Sequence, residues 1–210
     1  YAMRAVKELG IELKGNCRLI LGTDEECGSG DIGHYYDQVP EAPYTFSPDA
    51  NFPCINIEKG SIKGWYHASY PEMTALPRIL SAKGGTKINV VPNKAEAVVE
   101  GLSQAEIRAV ADEVTKDTGI TFSLSGENPV TISVTGKDGH AAMPEHANNA
   151  ITGMLALLTA LPLADCEGVR KLRAFQKLYP HGDWSGLAAG IAMEDKESGA
   201  MTSCLHLFSM

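Results

Sequence analysis

The segment that most constrains the fold is a helix signal at residues 103–119. Ser103 and Glu106 have the spacing of a capping box, in which the two residues satisfy backbone N–H groups of the first helical turn. Gly119 is a typical residue just past a helix end. Between these signals, apolar residues recur at helical spacing, namely Ile107, Val110, Ala111 and Val114. The pattern predicts an amphipathic helix that buries one face.

Strand signals lie on both sides of this helix. Residues 86–101 contain two short strand-like runs around a Pro-Asn turn, and residues 120–125 and 129–136 are two further runs joined by a turn. A second helix is expected to begin at Asn148 or Asn149. Its predicted buried stripe is Ile151, Met154, Leu155 and Leu158. Strand, helix, two strands and helix together predict a ferredoxin-like βαββαβ sandwich within a mixed α/β (α+β) chain.

We assign this sandwich to residues 61–210, because the pattern of apolar, Gly and Pro residues is different in residues 1–60. The first ten residues are helix-like and end at Gly10. Residues 17–23 and 52–60 are apolar runs closed by glycine, which predicts buried strands of a partial α/β sheet. Residues 30–54 are rich in Gly, Pro, Tyr and Asp, which predicts a loop.

The two ends of the sequence suggest a piece of a larger protein. The chain begins within a helix-like stretch and closes on a strand-like one, "MTSCLHLFSM". Natural termini that have frayed are the alternative. A split domain exposes sheet edges and apolar surface, so we expect a homodimer or a higher oligomer.

Composition restricts the classes of partner. The chain of 210 residues has a net charge of -8, which disfavours nucleic acid and anionic membranes. No apolar run is long enough to cross a bilayer, and no signal peptide is visible. The five cysteines are scattered and form no C-x-x-C motif. We therefore expect reduced thiols, a cytoplasmic location, and neither a nucleic-acid nor a membrane partner.

A row of carboxylates, Asp24, Glu25 and Glu26, directly follows the apolar run at 17–23. In open α/β sheets, ligands bind beyond the carboxyl ends of the strands. One carboxylate there can bind zinc, and a second can take a proton from water. On these residues alone, an acidic loop in solvent remains the alternative.

Three stretches together resemble the M20 metallopeptidases, and most closely their PepV-type dipeptidases. The stretches are "GTDEECGSGD", "TFSPDANFPCINIEKG" and "KDGHAAMPEHANNAI". Their order, their spacing and the flanking glycines and prolines agree with the family, and the resemblance covers residues 1–210. It implies an internal fragment of an enzyme that hydrolyses the peptide bond of dipeptides with two zinc ions.

The resemblance also implies roles for five residues. Glu25 matches the general base, Glu26 a ligand of one zinc ion, and Asp49 a ligand of the other. Asn89 matches a lid residue that holds the substrate, and His140 a lid histidine that stabilises the oxyanion. Without the family, Asp49 is a turn residue, Asn89 a polar residue at a strand end, and His140 a loop histidine.

The remaining elements of the family's site have no match in the sequence. These are an early His-x-Asp motif, a bridging aspartate, a late histidine and a lid arginine. Catalytic zinc sites usually have three protein ligands, so two carboxylates bind zinc poorly. We therefore expect zinc to be absent or weakly bound, and this polypeptide alone to be inactive.

Other functions remain open from the sequence. The chain can be a non-catalytic lid or dimerisation module, or part of an M20 aminoacylase or carboxypeptidase, which share the same chemistry. The third alternative is an unrelated metal-free α/β binding domain. The extended lid is the feature that favours dipeptides.

Overall fold

Two units of different character make up the chain, Tyr1–Phe52 and Pro53–Met210. The structure, a computed structural model, describes residues 1–48 and 53–210. Among the residues whose burial is described, every buried apolar side chain lies between Ile79 and Leu172, in the second unit. No helix in the described parts of the chain has the length and apolar character needed to cross a membrane.

The first unit contains two short helices and one turn of 3-10 helix. These are α1 (Ala2–Glu8), the 3-10 turn Glu25–Cys27 and α2 (Gly30–Tyr36). The helix predicted at the amino terminus is confirmed, and Gly10 follows it with φ of 63°. The loop predicted over residues 30–54 is wrong in its first seven residues, which form α2. The side chain of Asp31 there accepts the N–H of Ile32 and so supports the first turn.

The strand predicted over residues 17–23 is wrong. These residues form no strand, and Leu19 and Leu21 are 65% and 81% exposed. The second predicted strand, at 52–60, is also wrong over 53–60, and Phe52 lies outside the described residues. A strand of a parallel sheet is held by neighbouring strands and by burial on both faces. Among the described residues, neither 17–23 nor 53–60 has a paired neighbouring strand or a buried face.

The second unit is built on a five-stranded antiparallel sheet, accompanied by two ribbons of two short strands each. The strands of the second unit are, in chain order, β1 (Arg78–Gly84), β2 (Val90–Val91), β3 (Lys94–Glu100), β4 (Thr121–Ser125), β5 (Val130–Thr135), β6 (Gly139–His140), β7 (Glu194–Asp195), β8 (Gly199–Ala200) and β9 (Phe208–Ser209). Across the five-stranded sheet their order is β4, β5, β3, β1 and β9, so β4 and β9 are its edges. The two ribbons pair β2 with β6 and β7 with β8.

Three helices complete the second unit, and two of them were predicted. They are α3 (Gln104–Thr118), α4 (Ala150–Ala160) and α5 (Glu167–Leu178). The capping box of α3 is confirmed, because Ser103 Oγ accepts the Glu106 N–H and the Ser103 N–H donates to Glu106 Oε2. The cap of α4 is Asn149, whose Oδ1 accepts the N–H groups of Ile151 and Thr152.

The core lies between this sheet and its helices. Alternate residues of β3 and β5 are buried with the apolar faces of α3 and α4, whereas the intervening residues of the two strands carry mainly hydroxyl and charged groups. The predicted α/β sandwich is therefore confirmed as a mixed α/β unit around an antiparallel sheet. The elements that were missed are β1, the helix α5 and the two-residue strands β6, β7 and β8. Strand β1 lies between β3 and β9, next to the first strand of the predicted motif.

Candidate functional site

The carboxylate row of the first unit forms a loop closed by its own acidic side chains. Asp24 Oδ2 accepts the N–H of Gly30 at 3.0 Å, and the Asp24 carbonyl accepts the N–H of Ser29 at 2.8 Å. Glu25 and Glu26 lie on the 3-10 turn inside this loop, and both are exposed to solvent. The row therefore contains one carboxylate that accepts a backbone N–H and two that lie on exposed residues of the turn.

A fourth carboxylate, which the sequence analysis did not select, closes the loop at its other end. Asp31 accepts the N–H of Thr23 at 2.5 Å with Oδ2 and the N–H of Ile32 at 2.8 Å with Oδ1. The Thr23 N–H, together with Ile32, holds the pKa of the Asp31 carboxyl below its ordinary value, since hydrogen bonds to a carboxylate favour the charged form. Its position at the start of α2 is the signal that could have identified it.

The second unit brings Asn89 and His140 together. Strands β2 and β6 pair with Val90 opposite His140, and the Ala141 N–H donates to the Asn89 carbonyl at 3.0 Å. Both Asn89 and His140 line an open cleft of about 2600 Å³ within this unit, which Tyr66 and His206 also line. The two lid residues implied by the family resemblance are thus neighbours on one ribbon.

His140 sits on a tight turn that fixes its ring. The Met143 N–H donates to the His140 carbonyl at 3.0 Å, and the Ala142 N–H donates to His140 Nδ1 at 3.1 Å. The ring itself is exposed, so its other nitrogen is accessible to a ligand. This arrangement can present the second ring nitrogen of His140 to a ligand in one defined direction.

The loop that carries His140 is closed at its base by close backbone contacts. Lys137 and Asn148 exchange two backbone hydrogen bonds of 2.8 Å. A Cβ added at Gly136 would lie 2.1 Å from the Asn148 carbonyl oxygen, so only glycine fits there. The Asn148 Nδ2 donates to the Thr118 carbonyl at 3.0 Å, which ties the loop to the end of α3.

Two further histidines of this unit are partly buried. His206 Nδ1 lies 3.4 Å from the Val90 carbonyl, on the ribbon that carries Asn89 and His140. His181 Nδ1 lies 3.0 Å from Thr152 Oγ1 on α4. Burial lowers the pKa of both imidazoles below the ordinary value, because a charged ring loses hydration there.

The predicted site residues thus form two local groups, Glu25 with Glu26 and Asn89 with His140. Asp49 lies outside the described residues. Within residues 1–48 and 53–210, no group of three or more His, Cys, Asp or Glu side chains is arranged to hold a metal ion. The described residues therefore do not by themselves fit a zinc site.

Comparison with known proteins identifies two kinds of similarity. Residues 123–180 match the M20 peptidase dimerisation domain. The chain is 31% identical over 205 residues to the protein named "Putative dipeptidase YtjP" of Bacillus subtilis, with 96% of this chain and 44% of that protein covered. It is 25% identical over 210 residues to the Beta-Ala-Xaa dipeptidase of Lactobacillus delbrueckii, with 99% and 44% covered. The chain thus spans less than half the length of these relatives.

Proposed function

The chain belongs to the M20 peptidase family, and we propose that the protein it forms hydrolyses the peptide bond of dipeptides. The observation that carries this proposal is that the β2–β6 ribbon brings Asn89 and His140 to one open cleft, with Val90 opposite His140 and the Ala141 N–H on the Asn89 carbonyl. The dipeptidase names of the relatives favour dipeptides over acylated amino acids.

In the proposed reaction, Glu25 is the general base. Its carboxylate takes a proton from a water molecule as the water oxygen attacks the carbonyl carbon of the peptide bond. Glu25 then returns this proton to the leaving amine as the C–N bond breaks. The position of Glu25 on an exposed turn, braced by Asp24 and Asp31, supports this role.

His140 and Asn89 act on the substrate in this proposal. His140 donates a hydrogen bond to the oxygen that becomes negative as water adds, and a preformed donor of this kind is typically worth about 3 kcal/mol. Asn89 holds the substrate beside it. Their neighbouring positions on one ribbon support a joint contact with a single small ligand.

M20 peptidases are generally metal-dependent, and a bound zinc ion polarises the carbonyl and lowers the pKa of water. We propose Glu26 and Asp49 as ligands, one for each of two zinc ions. A site with these two carboxylates alone lacks the ligands that zinc needs, so the site is proposed to be completed by other residues.

The test is dipeptide hydrolysis by the complete protein, with the 210-residue chain assayed beside it. Glu25→Gln should abolish turnover, and His140→Ala should lower kcat by roughly a hundredfold to a thousandfold. Glu12→Gln, on an exposed residue outside the loop, should match the parent. Enzyme-like hydrolysis by Glu25→Gln would reject Glu25 as the base, and no hydrolysis of any dipeptide by the parent would reject the substrate class.

A second candidate function is self-association through the dimerisation domain, which the open sheet edge favours. Strand β4 is one of the two edges of the sheet and reads TFSLS, without a charged residue or a proline to block pairing. We propose a homodimer that pairs at this edge. Ser123→Lys should shift the protein towards monomer in sedimentation, whereas Ser61→Lys, on an exposed residue that belongs to no strand, should not.

We place the protein in the cytoplasm in this proposal. Cys17, Cys54, Cys166 and Cys204 are free thiols, which supports a reducing compartment. The acidic net charge gives no attraction to nucleic acid or to anionic membranes, and we propose a dipeptide or another small peptide as the ligand.

A further inference from the structure

The turn at residues 140–143 contains a hydrogen bond whose direction is fixed by chemistry. The backbone N–H of Ala142 lies 3.1 Å from His140 Nδ1, and the turn is closed by the Met143 N–H on the His140 carbonyl. A side chain that accepts the N–H two residues later is the arrangement of an Asx turn, here made by an imidazole.

A backbone N–H can only donate, so His140 Nδ1 must be the acceptor. An imidazole nitrogen accepts through its lone pair, which it has only when it carries no proton. A neutral imidazole has one N–H, which then lies on Nε2. The hydrogen bond therefore distinguishes the two nitrogens of this ring.

We propose that Ala142 is a positioning residue whose N–H holds His140 in the tautomer with its proton on Nε2. The exposed side of the ring then presents a hydrogen-bond donor while the imidazole is neutral. The ligand atom that meets it must be an acceptor, such as a carbonyl oxygen that gains negative charge. This inference rests on the proposed role of His140 and adds the residue that sets its polarity.

The surrounding loop fixes the position of the Ala142 N–H relative to the His140 ring. Pairing of β2 with β6 places His140 opposite Val90, and the bridge between Lys137 and Asn148 closes the loop below it. A Cβ added at Gly139 would lie 2.8 Å from the Ala147 Cβ, so the backbone there packs against the far side of the same loop. The Ala142 N–H is thus held by the fold rather than by the ring it binds.

The first experiment is nitrogen NMR of the 210-residue chain with 15N-labelled histidine and backbone. A scalar coupling across the N–H···N bond should correlate the Ala142 amide nitrogen with His140 Nδ1, and the ring proton should be found on Nε2. A ring proton on Nδ1, or no correlation between these two nitrogens, would overturn the inference. This measurement decides the question even if the variants below fail to fold.

A matched pair of variants tests the role of Ala142 itself. Ala142→Pro removes the N–H, so the correlation should be lost and the Nδ1–H tautomer should become populated. Ala142→Ser keeps the N–H and should behave as the parent does. An unchanged tautomer in Ala142→Pro would contradict the inference.

The readout also separates this inference from the proposed function. If the correlation is present and the complete protein hydrolyses no dipeptide, the tautomer assignment stands and the dipeptidase proposal fails. If hydrolysis occurs and depends on His140 but the ring proton lies on Nδ1, the dipeptidase proposal stands and the tautomer assignment fails.

Discussion

At the scale of single residues, Gly136 shows how a close backbone approach fixes the loop of His140. A Cβ at this position would meet the Asn148 carbonyl oxygen at 2.1 Å. We expect Gly136→Ala to destabilise the second unit by about 1–3 kcal/mol, since the backbone must shift to admit a methyl group. Chemical denaturation measures this change. Gly64→Ala, where nothing lies within 4 Å, should stay within about 0.5 kcal/mol of the parent.

Sequence reasoning found the candidate site residues by different routes. Glu25, Glu26, Asp49, Asn89 and His140 came from the family resemblance, and their roles remain predictions. Asp31 and Ala142 were not selected, because their parts depend on backbone N–H groups that come close only in the folded loop. Asp31 accepts such N–H groups, whereas Ala142 donates its own to His140.

At the scale of elements, helix α3 was predicted correctly together with its cap, whereas the strand predicted at 17–23 does not form. The helix signals of Ser103, Glu106 and Gly119 act within one segment, so the sequence contains them all. A buried strand depends on partners distant in the sequence, and none pairs with residues 17–23 in the described parts of the chain. Helix α5 was missed because its cap residue, Cys166, makes no side-chain cap bond.

The capping box gives a dependence of stability on pH. Hydrogen bonds from the Ser103 hydroxyl and N–H hold the pKa of Glu106 below its ordinary value. A lowered folded-state pKa contributes stability above the unfolded pKa, roughly 4.3, and this contribution is lost as the pH falls through the folded value. The difference in thermal stability between the parent and Ser103→Ala should therefore become smaller below about pH 4, where the bond from the Glu106 N–H to Ser103 Oγ still favours the parent. Glu106→Gln should lack this pH dependence, and a difference between parent and Ser103→Ala that grows at low pH would contradict the prediction.

Asn149 joins two elements, and two substitutions separate its contacts. Its Oδ1 caps α4, and its Nδ2 donates to the Leu205 carbonyl at 2.9 Å. Asn149→Asp keeps the cap oxygen and loses the donor, so hydrogen exchange should increase at residues 203–209 with α4 still protected. Asn149→Ala loses both the cap oxygen and the donor, and the loss of the cap should lower the free energy of unfolding by a further ~1 kcal/mol. Equal exchange in both variants and the parent would show that the Leu205 contact contributes nothing.

At the scale of the whole molecule, the two units should differ in resistance to protease. Burial of apolar side chains is confined to the second unit among the residues whose burial is described. Regions with few buried contacts open with little free energy and are cut first. Limited proteolysis followed by mass spectrometry should therefore remove residues within 1–48 while β3 to α4 stay intact. Early cuts inside α3 or α4 would contradict this prediction.

The same contrast explains how far the fold could be predicted. Residues 94–160 contain strand, helix and turn signals that agree with one another, and this part was predicted well. Residues 1–48 have strand signals without the partners that would satisfy them. Local patterns gave only an acidic loop for Glu25 and Glu26 and a loop histidine for His140, so the family resemblance identified more of the candidate residues than local patterns did.

Calorimetric titration of zinc into the 210-residue chain, beside Glu26→Ala, is the most direct test that this chain carries only part of a metallopeptidase site. We expect weak binding that does not saturate, with no difference between the parent and the variant, because two carboxylates do not complete a zinc site. Glu12→Ala serves as the control on an exposed carboxylate. Tight, stoichiometric binding that Glu26→Ala abolishes would contradict the claim, since other residues of this chain would then have to complete the site.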